Sequence, residues 1–177
     1  MTRQVVSTLV LVLVVLLVFW AMRTGWRART RRSSALVPAL PAAPADLGAQ
    51  RLGDVDATYV STTRAGDWLD RVTAHDLGVR SGAQVAVFDA GVRIIRQGAS
   101  DLFVPTASVR GAAPAPGIAG KVVGGEGLVV LTWQADPTDP RGLDTGLRPQ
   151  HAADRERLVA AVTALTSGRA PAQEESS

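Results

Sequence analysis

The chain has 177 residues, with 19 Lys and Arg against 16 Asp and Glu, no cysteine, and 46% hydrophobic but only 5% aromatic side chains. That length holds one ordinary domain plus an appendage and excludes a multidomain machine or a large α/β barrel. The charge is divided: residues 1–45 carry six arginines and no acid, a charge of +6, while residues 46–177 carry 13 basic and 16 acidic groups, a charge of −3. A cationic arm on a mildly acidic body argues against a nucleic-acid partner.

After a short flank, residues 1–4, Val5 to Met22 reads VVSTLVLVLVVLLVFWAM, eighteen residues without charge, Pro or Gly. At about 1.5 Å per residue such a helix spans roughly 27 Å, close to the hydrocarbon thickness of a bilayer. It has no polar face, and Trp20 and Trp26 bracket its end, as indoles do at a lipid-water interface. A single transmembrane helix is therefore expected, with the lipid bilayer as the first partner. A cleaved secretory signal is the competing reading; the apolar run is long for one, and RTGWRARTRR follows it instead of a cleavage site.

Residues 23–32 form a basic juxtamembrane segment containing Arg23, Arg27, Arg29, Arg31 and Arg32, against Arg3 and the amino terminus on the other flank. Basic flanks are retained on the cytoplasmic side. The expected arrangement is thus a single-pass protein of the cell membrane, N-terminus outside and body in the cytoplasm, its arginines setting topology at the membrane surface. Ser33 to Ala45, SSALVPALPAAPA, repeats proline every third residue. This is the period of polyproline II, and the segment is expected to be a semi-rigid spacer.

The body, residues 46–168, reads first as short strands divided by Gly, Pro and Asp. Strands are expected at 57–63, 83–88, 92–97, 102–109, 121–123 and 128–134, with a hairpin turn at Asp89-Ala90-Gly91 and a buried central strand in LVVLTW. Asp67 to His75, DWLDRVTAH, fits a short helix or a further strand equally well. Beyond Pro149 the period changes: Leu158, Val162 and Leu165 follow i, i+4, i+7, so HAADRERLVAAVTALTSG is one amphipathic helix ended by Gly168. Residues 169–177 are expected to be a disordered tail.

This mainly-β body closed by one C-terminal helix resembles the pleckstrin-homology-like (PH-like) fold. More narrowly it looks like a family of small actinobacterial membrane proteins with a PH-like domain, often labelled transporter or export proteins. The resembling stretches are TYVSTTRAGDWLDRVTAHDLGVRSGA (58–83), DLFVPTASVRG (101–111), GKVVGGEGLVVLTW (120–133) and LDTGLR (143–148). The resemblance implies a bent antiparallel sheet or barrel of about seven strands with the helix over its open end, an anchored location, and no catalytic role. A single spanning helix does not enclose a transport pathway by itself.

No motif for chemistry survives inspection. Lys121 in APGIAGKVV lacks both the first glycine and the hydroxyl of a phosphate-binding loop, since Ala115 and Val122 stand there. Asp144-Thr145-Gly146 matches an aspartic-protease triplet but occurs once and reads as a turn into the last strand. His75 and His151 belong to no metal or catalytic grouping, and there is no G-x-S-x-G elbow. No catalytic residue, metal or cofactor is expected. In a PH-like domain the loop between the first strands is where a headgroup or partner would dock, and here TTRAGD offers Arg64 opposed by Asp67, with Trp68 beside them. These three are the candidate partner-binding residues; the acidic body argues against phosphoinositide-like binding. Trp68, Trp133 and Phe103 are the large side chains for flooring a groove or filling the core. The expected function is a membrane-anchored, non-catalytic module that binds or scaffolds a protein partner. The alternative is an accessory subunit of a transport or envelope complex that contacts its partners through the spanning helix.

Overall fold

The computed structural model describes residues 8, 10–25, 37, 39–122 and 127–168. Helix α1 occupies residues 10–25, and its large apolar side chains from Val10 to Trp20 are all exposed, between 46% and 68%. Among the described residues no helix is long and apolar enough to cross a membrane. Of the expected span 5–22, residues 5–7 and 9 lie outside the described set, as do most of the basic segment and the tail.

The body begins before Asp46. Val37 is fully buried and Leu40 packs on the same core, so the stretch expected as a spacer contributes two side chains to the domain. Strand β1 (Gln50–Arg64) is the spine of the fold. Its first half pairs antiparallel with β3 (Ser81–Phe88) and its second half with β10 (Leu143–Pro149). Between Tyr59 and Ser61 the register with β10 shifts, leaving Val60 as an extra residue. Such a bulge bends a strand and strengthens its twist, which lets one long strand serve two halves of a curved sheet. From β3 the chain returns through a two-residue turn, Asp89-Ala90, into β4 (Gly91–Arg96), and then β5 (Leu102–Pro105). On the other side β9 (Leu128–Trp133) lies between β10 and β6 (Val109–Ala115).

The seven strands follow the order β5-β4-β3-β1-β10-β9-β6, and a short β2 (Asp67–Arg71) pairs β1 off this path. β5 and β6 stand at opposite ends of this order, so the sheet is open. Helix α2 (Ala152–Ser167) packs mainly against β6 and buries Leu158, Val162 and Leu165, the three residues its period singles out. The bent open sheet with one C-terminal helix fits the PH-like fold.

Three local readings change. Residues 102–109 are not one strand: Pro105, with no N–H to donate, closes β5, and a turn held by the Ser108 N–H to the Pro105 carbonyl (2.8 Å) precedes β6. DWLDRVTAH is both of its alternatives, β2 followed by a single 3-10 turn at Ala74–Asp76. Asp144-Thr145-Gly146 lies inside β10 and not in the turn leading to it.

Candidate binding site

The core face of the sheet carries a chain of hydroxyls. The Trp133 indole N–H donates to Thr145 Oγ1 (2.9 Å), Thr145 meets Thr62 Oγ1 (2.7 Å), Thr62 meets the Tyr59 hydroxyl (2.5 Å), and Tyr59 donates to the Leu77 carbonyl (3.0 Å). Each hydroxyl has one proton to give, so the fixed ends set one direction for the whole chain: Trp133 to Thr145 to Thr62 to Tyr59 to Leu77. The three hydroxyl residues and Trp133 are fully buried, and every polar atom on the line is paired. Burial is also the main reason the Tyr59 phenol is pushed up to about 12, against smaller lowering effects of its Thr62 hydrogen bond and of Arg96.

Arg96 completes this end of the molecule. It is 5% exposed, and its guanidinium carbon lies 3.8 Å from the centroid of the Tyr59 ring. Its donors reach Ser81 Oγ (3.2 Å), the Ser100 carbonyl (3.2 Å), the Asp76 carbonyl (2.9 Å) and the Val79 carbonyl (2.7 Å). The planar fork of arginine suits this role: five N–H groups in one plane gather carbonyls from separate loops. Residues 72–80 are thereby fixed although they are mostly irregular. His75 and Asp76 sit at φ 50° and 59°, left-handed conformations that non-glycine residues hold only when their surroundings impose them. The His75 Nε2 also hydrogen-bonds the Val37 carbonyl (2.8 Å), which secures the first described residue after α1.

On the outer face, a short hairpin of β7 (Gly117–Ile118) and β8 (Lys121–Val122) folds over β10. Its two-residue turn is Ala119-Gly120, both with positive φ (54° and 73°), as a type I′ connection demands. Lys121 thus opens a hairpin strand and belongs to no phosphate loop. Ile118 is buried directly over Gly146, where a Cβ would stand 2.5 Å from Ile118 Cγ2. Val60, Leu128 and Ile118 form a second, small core there. Beside it Ser61 and Thr63 are fully buried, and neither hydroxyl has a hydrogen-bond partner. Asp144 faces the same side, accepting from Thr132 Oγ1 (2.7 Å) and from the Gly66 N–H (3.2 Å). Its carboxylate holds the β1–β2 turn, a structural use of the triplet's aspartate.

Of the three candidate binding residues, Asp67 and Trp68 are exposed and Arg64 is half-buried. Arg64 stands opposite Asp67 in the β1–β2 register, but its guanidinium is paired with Asp139 (3.2 Å), both side chains less than a fifth exposed. Asp67 is turned into its own hairpin, accepting the N–H groups of Leu69 and Asp70 (3.1 and 3.2 Å). Trp68 is half exposed, and Leu69 beside it is 68% exposed. Trp133 and Phe103 are buried. His151 stands at the N-terminal end of α2 without a side-chain cap. Among the described residues no cluster of His, Cys, Asp and Glu has the makings of a metal site. The sequence reading passed over Leu69 and Val79, both exposed, and the signal available was the pair Trp-Leu in an otherwise charged segment.

A family model described as Bacterial PH domain-like matches residues 37–163. The chain belongs to that family, and the matched stretch opens at Val37, the first of the described residues packed in the body's core. No curated protein matches the chain.

Proposed function

We propose that this protein is a membrane-anchored, non-catalytic PH-like module that binds or scaffolds a protein partner at the cytoplasmic face of the cell membrane. Membership of a PH-like family supports a binding module. The observation that carries the anchored part is the stretch 10–22 of α1, an uninterrupted apolar run in helical conformation with no side buried against the protein. A helix apolar on all sides needs an apolar environment. The five arginines of Arg23–Arg32 support a cytoplasmic body, since basic flanks are retained on that side.

Two measurements on the full chain test this. After alkaline carbonate washing of membranes the protein should remain in the pellet. Fusions at the C-terminus should give a fluorescent cytosolic reporter and an inactive alkaline phosphatase; the reverse pattern rejects the cytoplasmic placement. Release by carbonate rejects the anchor.

A further inference from the structure

Outside α1, the exposed large hydrophobic residues among the described residues are Trp68, Leu69, Val79 and Ile95. Three of the four lie within twelve residues of chain, on either side of His75, and His75 binds Val37, where the chain from the anchor enters the body. β2 ends at Arg71, four residues before His75, and Val79 follows it by four, so each is at most about 14 Å of chain from that entry point. The end of β2 also lies beside Gly78, the residue before Val79: a Cβ on Gly78 would stand 3.2 Å from Arg71 Cδ.

We infer that this pole of the body, Trp68 and Leu69 on β2 together with Val79, rests in the interface of the bilayer that holds α1. The inference builds on the anchored reading above. Eleven residues lie between Gly25, the last described residue of α1, and Val37, twelve Cα steps with a reach of about 40 Å at full extension. A body of this size has a radius of gyration of about 14 Å, so the reach is close to its width and the pole that the chain enters is the one held nearest the membrane. Arg27, Arg29, Arg31 and Arg32 lie in the connection and favour an anionic surface, which shortens the reach further. The apolar side chains do not collapse into the protein because the backbone behind them is fixed. Arg96 holds the Val79 carbonyl, the Tyr59 chain holds Leu77, and Asp67 holds the β2 turn. An indole and an adjacent leucine on a rigid, net-neutral hairpin suit the headgroup boundary, where an apolar body and a polar N–H are both accommodated.

The chain contains no cysteine, so single nitroxide labels report one position each. Full-length Leu69→Cys, Val79→Cys, Ile95→Cys and Val15→Cys proteins are reconstituted in phosphatidylcholine vesicles containing phosphatidylglycerol, and each label is tested for collision with oxygen and with an aqueous nickel chelate. Labels at 69 and 79 should lose nickel access and gain oxygen access, while the label at 95 stays aqueous. Free nickel access at 69 and 79 with a lipid-embedded label at 15 overturns this inference and leaves the anchor standing. An aqueous label at 15 overturns both. Labels at 69 and 79 shielded from both reagents mark a protein partner or a second copy on this pole, and also overturn it.

Discussion

Tyr59 is the only tyrosine of the chain, which makes its environment directly measurable. Its phenol is pushed from 10 up to about 12 by burial. Below pH 10 the folded and unfolded states bind the same phenolic proton. Between pH 10 and 12 the unfolded chain releases it while the folded protein retains it, so stability falls with rising pH by about 3 kcal/mol over those two units. Absorbance at 295 nm should therefore titrate near 12 in the native protein and near 10 in denaturant, and urea unfolding should show the loss of stability beginning only above pH 10. A native midpoint at 10 would mean that Tyr59 is not enclosed as described. The two unpartnered hydroxyls give the opposite kind of test. Thr63→Val keeps the shape of the side chain and removes an oxygen that is buried without a bond, and it should raise stability by about 1 kcal/mol in urea melts. A loss instead would show that the hydroxyl is paired in solution.

Whole elements were legible where a periodic pattern met a clear stop. The helix at 152–167 was, because leucine and valine at i, i+4 and i+7 have no other use; the β3–β4 hairpin was, because two β-branched runs flank Asp89-Ala90-Gly91, although Gly91 belongs to β4 and the turn is one residue shorter than expected. β10 was obscured by its own content. Asp144 and Gly146 are turn-prone residues on either side of a threonine, yet all three have a strand role: Asp144 binds the β1–β2 turn, Thr145 continues the hydroxyl chain, and Gly146 makes room for Ile118. None of those partners is near in sequence. The candidate site was legible only in part for the same reason. Arg64 meets Asp139, seventy-five residues away, and that contact removes the arginine from the surface that TTRAGD implies. The β7–β8 hairpin supplies the prediction at this scale. Gly146→Val should push Ile118 off the sheet and cost about 1–3 kcal/mol, and adding Ile118→Ala should recover part of that loss if the contact is direct. Equal and additive costs in a double-mutant cycle of urea melts would place the hairpin elsewhere.

At the scale of the whole molecule, the net charge of +3 describes neither part of the protein, since it sums a +6 arm and a −3 body. The arm's arginines are assigned to orientation, and this makes a specific demand. Orientation depends on the count of basic residues near a spanning helix and little on acids, so neutral substitution is enough to test it. Changing Arg27, Arg29, Arg31 and Arg32 to Gln leaves Arg23 alone on the C-terminal flank, against Arg3 and the amino terminus. The bias disappears, and a substantial fraction of the chains should insert with the body on the outer side. A cysteine at the exposed Glu156 on α2 reports the outcome through an impermeant maleimide added to intact cells. With the native arginines it should be labelled only after lysis; with the four glutamines it should be labelled in intact cells. The body keeps its residues in both proteins, so a change of side between them would trace to the arm alone. Unchanged protection in the glutamine variant would show that the folded body, and not the arginines, decides the side on which it lies.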